Sequence, residues 1–171
     1  MNVPFYRHQL TSTHAEAIVR VVGSPMLTSG AVGREVEGLL SKYFDVPHAM
    51  LVNSWTNGAL ACLLAMDLKP GDEVIVPAMT FIATANMVEL IGGKAVFVDV
   101  DPDTLLISID KVKAAISSRT RAVLPVHLYG QMVDIKALRA AVGPAIRIIE
   151  DCAHCFEGTL NGDRPGAHSD I

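Results

Sequence analysis

The stretch IIEDCAH at residues 148–154 is an apolar run that ends in two carboxylates, with a histidine three residues later. A second stretch, NSWTNGAL at residues 53–60, also places polar side chains directly after an apolar run. In open α/β sheets, ligands bind at the carboxyl ends of the strands. Together the two stretches predict one ligand site, in which residues 53–60 hold a phosphate and residues 148–154 hold a charged ring.

Apolar runs rich in valine and isoleucine alternate along the chain with stretches of helical periodicity. We predict strands at residues 49–53, 73–77, 94–99, 121–126 and 146–150, and helices at residues 14–22, 32–43, 56–66, 82–91, 110–116 and 134–142. Ser108 is the expected N-cap of the helix at residues 110–116. Almost wholly apolar strands separated by helices are typical of a largely parallel sheet that is covered on both faces.

The composition disfavours several classes of function. Half of the 171 residues are hydrophobic and 19% are charged, which is typical of a folded α/β domain. The net charge of −4 offers no basic footprint for nucleic acid. No apolar run reaches the ~18 residues that span a bilayer, and the N-terminus lacks the basic and apolar regions of a signal peptide. Because the chain has only three cysteines, we expect a cytoplasmic protein without a disulfide framework.

The start of the helix at residues 56–66 has two interpretations. The amides at a helix N-terminus, together with the hydroxyls of Ser54 and Thr56, can bind a phosphate, and the helix dipole favours a negative charge there. Alternatively, Ser54 or Thr56 is an ordinary N-cap that satisfies those amides internally. Trp55 is the only tryptophan, and it is either a core residue or a wall of the pocket.

Asp151 and Phe81 also have a structural and a functional interpretation. Asp151 follows an apolar strand, where an aspartate commonly caps a turn or faces solvent. In the functional interpretation it pairs with the protonated nitrogen of a bound heteroaromatic ring and makes that ring a better electron sink. Phe81 follows the strand at residues 73–77. It either packs in the core or stacks on such a ring, which would contribute about 0.5–1.5 kcal/mol.

Seven segments occur in an order and spacing that resemble a known family: residues 27–30 (LTSG), 53–56 (NSWT), 70–77 (PGDEVIVP), 97–101 (FVDVD), 126–130 (VHLYG), 149–154 (IEDCAH) and 166–170 (GAHSD). On these segments the chain resembles the N-terminal half of the DegT/DnrJ/EryC1/StrS family of sugar aminotransferases. Members of that family are fold-type I enzymes that depend on pyridoxal 5′-phosphate.

The resemblance implies an α/β fold, a three-layer sandwich with a mostly parallel sheet like the large domain of these enzymes. Residues 1–45 are then an N-terminal helical segment, and residues 46–171 are the core of the sheet. The chain as a whole corresponds to an incomplete, truncated large domain that binds the cofactor. The small C-terminal domain of the family is absent from it.

The resemblance assigns the grip on the cofactor to four residues. Trp55 and Thr56, with Ser54 beside them, are expected to hold the phosphate through a backbone amide and hydroxyl groups. Phe81 is expected to stack on the pyridine ring. Trp55 stands where many relatives have a small residue, so this sequence departs from the family pattern at the phosphate loop.

The expected catalytic residues are Asp151 and His154, which also contact the cofactor. Asp151 would pair with the ring nitrogen, and His154 would lie near the ring oxygen. The residues expected to face substrate are Thr28, Ser29 and Gly30 at the mouth of the pocket, and His127 and Tyr129 at the end of another strand. No residue is expected to bind a metal.

The reaction implied by the resemblance is transfer of an amino group from an amino acid, typically glutamate, to a keto group of a nucleotide-linked sugar. In this family the lysine that forms a Schiff base with the cofactor follows shortly after the segment matching residues 166–170. None of the lysines here matches it, and the chain ends at Ile171. We therefore expect a fragment that is inactive alone. Because the active site of the resembled family lies between two subunits, the resemblance also implies a homodimer for the parent enzyme.

Three alternatives stay open at this stage. One branch of the family has histidine in place of that lysine and dehydrates the sugar instead. The fold could also serve a non-catalytic regulator that senses a sugar or the cofactor, although no DNA-binding segment is visible. A metal or redox site at Cys152 and Cys155, with His154 between them, would need further ligands, and the sequence shows no second pair.

Overall fold

The computed structural model describes residues 7–171, which fall into two compact units. The first unit comprises residues 7–43 and 47–51, and the second comprises residues 44–46 and 52–171. Residues 1–6 of the predicted N-terminal segment lie outside the described residues. The predicted division of the chain into a helical segment and the core of a larger domain stays a prediction.

The first unit contains helix α1 (Ser12–Val22) and most of helix α2 (Ala31–Phe44). At the start of α1, the Thr11 N–H donates to Nδ1 of His14 at 2.9 Å, which satisfies one of the amides that a helix leaves free. Neither helix contains a buried residue. In the described part of the chain, this unit therefore has no hydrophobic core of its own.

The second unit is a parallel sheet with helices between its strands. The strands are β1 (Glu73–Pro77), β2 (Lys94–Val98), β3 (Thr120–Val123) and β4 (Arg147–Ile148), in the spatial order β2-β1-β3-β4. The helices are α3 (Trp55–Ala65), α4 (Ala83–Leu90), α5 (Ile109–Ala115) and α6 (Ile135–Val142). All three strand pairs are parallel, so the chain crosses a face of the sheet between successive strands.

Two separate apolar clusters make the sheet the middle of three layers. All of β1 is buried. Val74 and Val76 pack in the cluster that contains side chains of α3 and α4. Ile75 packs in the cluster that contains side chains of α5 and α6. Because successive side chains of a strand point to opposite faces, helices cover both sides of the sheet. The predicted three-layer α/β fold is confirmed.

Most of the predicted elements are found within a few residues of their expected bounds. The strand at residues 73–77 and the N-cap at Ser108 are confirmed without change. The strand predicted at residues 121–126 is shorter, although the Leu124 N–H still donates to the Ile75 carbonyl at 2.9 Å. Within residues 7–171, no helix combines the length and the hydropathy that crossing a bilayer requires.

The strand predicted at residues 49–53 is wrong. In the described structure this segment has no ladder partner, and the Leu51 N–H donates instead to a carboxylate oxygen of Glu37 at 3.0 Å. Met50 is 81% exposed. An apolar run becomes a strand only where a neighbouring strand pairs with its backbone. In the described sheet the outermost strands are β2 and β4, and neither pairs with this segment.

A cluster of charged side chains joins the amino ends of three strands. The buried carboxylate of Glu73 accepts hydrogen bonds from Ser117 Oγ at 2.5 Å, Arg119 Nη2 at 2.9 Å and Lys94 Nζ at 3.2 Å. These donors, Ser117 first, lower the pKa of Glu73 to about 2. The cluster therefore links β1 to the start of β2 and to the turn that leads into β3.

Candidate functional site

A pocket of about 200 Å³ opens at the carboxyl end of the sheet, within the second unit. Its position follows from the strand order, because β1, β3 and β4 are neighbours and each is followed by a loop at this edge. The lining residues are Trp55, Thr56, Thr80, Phe81, Val126, Leu128, Asp151, Ala153 and His154. The structure thus brings together five residues that the sequence analysis selected, namely Trp55, Thr56, Phe81, Asp151 and His154.

Asp151 follows β4 and is only 4% exposed. Its backbone is fixed on both sides: its N–H donates to the Pro125 carbonyl at 2.9 Å, and its carbonyl accepts the His127 N–H at 3.0 Å. Burial raises the pKa of its carboxyl, an effect that the Ala153 N–H at 3.0 Å and the nearby His154 partly offset. No lysine, arginine or histidine nitrogen in residues 7–171 forms an ion pair with this carboxylate. A cationic group in the pocket would stabilise it.

The start of α3 combines an ordinary cap with free amides. The Ser54 side chain is the N-cap and accepts the Asn57 N–H at 3.3 Å, and Ser54 does not line the pocket. The Trp55 and Thr56 N–H groups donate no hydrogen bond to any described residue. Because the helix dipole is positive at this end, these two amides and the Thr56 hydroxyl are suited to an anion.

Aromatic side chains border the pocket on two segments. Phe81 is 69% exposed, which excludes the core position that the sequence left open. It lines the pocket beside Thr80, whose hydroxyl lies 3.0 Å from that of Thr84. Trp55 is partly buried and lines the pocket from the start of α3. A pocket with aromatic walls and a carboxylate is suited to a flat, positively charged ring.

Tyr129 and His154 contact each other although they come from different loops. Their ring centroids are 5.7 Å apart and their planes are inclined by 22°, which is a stacked arrangement. Tyr129 has a φ of 54°, in the left-handed region that a bulky residue rarely adopts. His154 lines the pocket, whereas Tyr129 does not. The turn at Tyr129 therefore supports the His154 ring from outside the pocket.

His127 was predicted to face substrate, but its side chain is fully buried. Nε2 lies 2.5 Å from Oε2 of Glu150, and Nδ1 accepts the Val133 N–H at 2.9 Å. Since both ring nitrogens have partners inside the protein, the His127 side chain offers no hydrogen bond to a substrate. The motif around His127 did not reveal that its side chain is buried, because burial depends on the elements that pack around the strand end.

Three potential metal ligands, from His127, Glu150 and Cys152, lie within 4.8 Å of one another. Burial, reinforced by the carboxylates of Glu150 and Asp151, raises the pKa of the Cys152 thiol. A metal or redox role requires the thiolate, which this environment disfavours. The buried Cys155 donates its thiol proton to a backbone carbonyl at 3.5 Å. The geometry therefore favours a hydrogen-bonded cluster over the metal or redox alternative.

Thr28, Ser29 and Gly30 lie in the first unit, in the loop between α1 and α2. The Gly30 N–H donates to the Thr28 carbonyl at 2.5 Å, and Arg34 Nη1 donates to the Ser29 carbonyl at 3.0 Å. The loop lines a cavity within that unit. Its role toward a substrate stays a prediction.

The sequence analysis missed four lining residues, Thr80, Val126, Leu128 and Ala153. Each is adjacent in sequence to a selected residue, so position just after a strand end was the available signal. Val126 and Leu128 are also buried, at 6% exposure each. An apolar residue of this kind resembles a core residue in sequence, because the pattern does not show which side chains border a cavity.

Comparisons with known proteins agree with the fold. The model of the DegT/DnrJ/EryC1/StrS aminotransferase family matches residues 8–171. Among solved structures, Spr1654 of Streptococcus pneumoniae, which is named as a sugar aminotransferase, is 31% identical in its PLP form. The TM-score is 0.93, over 99% of this chain and 47% of that one.

Two further solved structures carry related chemistry in their names. DesV of S. venezuelae, in complex with a ketimine intermediate, is 36% identical with a TM-score of 0.87, over 91% of this chain and 42% of that one. The E. coli GDP-4-keto-6-deoxy-D-mannose-3-dehydratase with bound hydrated PLP is 29% identical with a TM-score of 0.92, over 98% of this chain and 45% of that one. This chain thus spans slightly less than half the length of the solved relatives it matches.

Proposed function

Because this chain belongs to the DegT/DnrJ/EryC1/StrS aminotransferase family, we propose that the pocket holds pyridoxal 5′-phosphate with the ring nitrogen against Asp151. The observation that carries the proposal is Asp151, a buried carboxylate with a raised pKa that forms no ion pair in the described chain. A protonated pyridine nitrogen supplies the positive charge that this carboxylate lacks. Solved relatives in PLP and PMP forms support the choice of cofactor.

The phosphate of the cofactor belongs, in this proposal, at the start of α3. The free amides of Trp55 and Thr56 and the Thr56 hydroxyl are the donors, and all belong to residues that line the same pocket as Asp151. Ser54 contributes indirectly, because its side chain caps the helix and fixes the direction of those amides. In this arrangement the negative phosphate is held by the start of α3, and the positive ring nitrogen is held by Asp151.

When bound, pyridoxal phosphate supplies a ring that accepts electrons from the carbon being deprotonated. The residues of this chain orient that ring. Asp151 would hold the proton on the ring nitrogen, Phe81 would cover the ring, and His154 would lie beside the ring oxygen; all three side chains line the pocket. By keeping that nitrogen protonated, Asp151 would preserve the positive charge that draws electron density into the ring. It should therefore raise the rate more than the affinity.

For the whole protein, we propose transfer of an amino group from an amino acid, expected to be glutamate, to a keto group of a nucleotide-linked sugar. The name of the family and of Spr1654 supports amino transfer. Sugar dehydration is the second candidate, because structures of GDP-4-keto-6-deoxymannose-3-dehydratase match this chain almost as well. Substrate contacts by residues 28–30 and Tyr129, a homodimer and a cytoplasmic location stay predictions.

The binding proposal is tested by titrating the chain with pyridoxamine 5′-phosphate. This form of the cofactor carries an amine in place of the aldehyde, so it does not label surface lysines as an imine. Trp55 is the only tryptophan and lines the pocket, so its fluorescence reports occupancy directly. We expect saturable quenching. The affinity should be lower when pyridoxamine, which lacks the phosphate, replaces pyridoxamine 5′-phosphate.

The matched controls are two substitutions of a carboxylate by its amide. Asp151→Asn should weaken binding, whereas Glu73→Gln, at the opposite end of the sheet, should leave it unchanged in the folded chain. Equal affinities of wild type and Asp151→Asn would contradict the assignment of Asp151 to the ring nitrogen. Absence of saturable quenching in the wild-type chain would contradict the assignment of the pocket itself.

The reaction is tested in the full-length protein with ¹⁵N-labelled glutamate and a nucleotide-linked keto sugar. Amino transfer places the label on the sugar. Dehydration removes a sugar oxygen without leaving nitrogen on the product. Mass spectrometry of the sugar therefore distinguishes the two candidates in one measurement.

A further inference from the structure

The pair of His127 and Glu150 lies directly behind Asp151 and takes no part in the proposed contacts with the cofactor. Both side chains are almost completely buried, with 0% and 2% of their surface exposed. We propose that this pair is a positioning device, which fixes Asp151 at the orientation needed for the ring nitrogen of a bound cofactor. The inference rests on the proposed function and adds two residues to it that do not touch the ligand.

The hydrogen bonds of His127 fix its tautomer. Nδ1 accepts the Val133 N–H at 2.9 Å, so this nitrogen carries no proton. The remaining proton is on Nε2, which donates to Oε2 of Glu150 at 2.5 Å. Protonating the ring would place an Nδ1–H against the Val133 N–H. The geometry therefore assigns His127 the tautomer that donates from Nε2.

Glu150 must accept two hydrogen bonds at once. Oε2 accepts from His127, and Oε1 accepts the Gly166 N–H at 2.9 Å. A carboxylate can accept both, whereas a glutamine side chain has one accepting oxygen and one donating NH₂. In Glu150→Gln, either the imidazole or the Gly166 amide faces a donor. This identifies Glu150→Gln as a substitution that breaks the pair with little change of volume.

The pair connects to Asp151 through the backbone of two neighbouring strand ends. The His127 N–H donates to the Asp151 carbonyl at 3.0 Å, and Val126 pairs with Asp151 in an isolated parallel bridge. Glu150 precedes Asp151 directly. The side-chain bond between His127 and Glu150 therefore ties the same two strand ends together a second time. Loosening it should change the direction of the Asp151 carboxylate.

The test is a double-mutant cycle on the affinity for pyridoxamine 5′-phosphate, read from Trp55 fluorescence. We expect Glu150→Gln to weaken binding about tenfold in the wild-type background and by less than about twofold in the Asp151→Asn background. A positioning residue acts through Asp151, so its effect disappears with Asp151. Thermal unfolding of the same four proteins shows the purely structural effect, which should persist in both backgrounds.

Equal loss of affinity in both backgrounds would overturn the positioning role, while the proposed cofactor site would stand. If the wild-type chain does not bind pyridoxamine phosphate at all, both proposals fall. A second measurement does not depend on whether Glu150→Gln folds. In long-range ¹H–¹⁵N spectra of the wild-type chain, we expect the His127 ring as the Nε2–H tautomer, with Nδ1 as the accepting nitrogen. An Nδ1–H tautomer would overturn the inference.

Discussion

Glu73 and Asp151 lie at opposite ends of the same parallel sheet, and their electrostatic surroundings are opposite. Both residues are 4% exposed. Ser117, Arg119 and Lys94 donate to Glu73 and lower its pKa to about 2, whereas burial dominates at Asp151 and raises its pKa. Low solvent exposure alone therefore does not decide the ionisation of a carboxylate, because donors and cations beside it can reverse the effect of burial on its pKa.

The difference separates a carboxylate that stabilises the fold from one that is available to a ligand. A buried carboxylate with its partners inside the protein links the elements that supply them. A buried carboxylate without such partners reduces the stability of the protein when no ligand is bound. Carboxylates of this kind are frequent at functional sites. In this chain the carboxylate at the amino end of the sheet links structural elements, and the one at the carboxyl end lines the proposed binding site.

The largest expected effect is on turnover, and it tests the functional role of Asp151. Asp151→Asn in the full-length enzyme should lower kcat by a factor of about 10²–10³, since it removes the carboxylate that keeps the ring nitrogen protonated and the ring able to accept electrons. Some cofactor should remain bound, because the phosphate contacts at the start of α3 are intact. Steady-state kinetics with cofactor occupancy measured in parallel check this. Near-normal kcat at full occupancy would reject the role of Asp151.

The second effect concerns stability, and it has opposite signs at the two ends of the sheet. At pH 7, Glu73→Gln should lower the midpoint of urea unfolding, because it removes a charge that has three donors. Asp151→Asn should raise the midpoint, because it removes a desolvated charge without an ion pair. The exposed Glu16→Gln in α1 is the matched control and should change little. Two shifts of the same sign would contradict the comparison.

The pH dependence of these shifts follows from the pKa directions. The folded pKa of Glu73 is lowered from 4.5 to about 2, so its stabilisation is present above pH 4.5 and is lost as the pH falls toward 2. The folded pKa of Asp151 is raised from 3.8, so its cost is absent below pH 3.8 and fully present above the raised value. The advantage of Asp151→Asn over wild type should therefore disappear in acid. An advantage that grows as the pH falls would show the opposite sign.

A smaller effect is expected at the aromatic wall of the pocket. Phe81→Leu keeps an apolar side chain but removes a ring face, so the affinity for pyridoxamine phosphate should fall about 2- to 12-fold, the equivalent of 0.5–1.5 kcal/mol. Because Phe81 is 69% exposed, the unfolding midpoint should hardly change. The Trp55 titration measures the first quantity. Unchanged affinity would place Phe81 outside the cofactor contacts.

The smallest effect is expected at the strained turn behind His154. Tyr129→Gly relieves the φ of 54° but removes the ring that stacks on His154. Cofactor affinity should fall about twofold, while the free energy of unfolding stays within about 1 kcal/mol of wild type. Tyr129→Phe keeps the ring and should bind like wild type. Loss of affinity in both variants would point to the hydroxyl group rather than to the stack.

Much of this fold could be predicted from sequence because its signals are local. Strand β1 at residues 73–77 is an apolar run between a turn and a loop, and its prediction was confirmed. The N-cap at Ser108 was confirmed for the same reason, because a cap depends on the residues next to it. The apolar run at residues 49–53 has the same local signal, but its strand prediction was wrong because it lacks a pairing partner in the described structure.

The same distinction between local signals and long-range contacts applies to the candidate site. Sequence alone determined that Asp151 follows an apolar strand and that a helix starts at residues 54–56, because each depends on neighbours along the chain. Only the tertiary structure decided that Asp151 forms no ion pair within residues 7–171 while Glu73 forms two, and that the His127 side chain is bonded to Glu150. These facts depend on residues distant in sequence that folding brings together. A pattern among neighbouring residues does not show which distant residues will contact them in the folded protein.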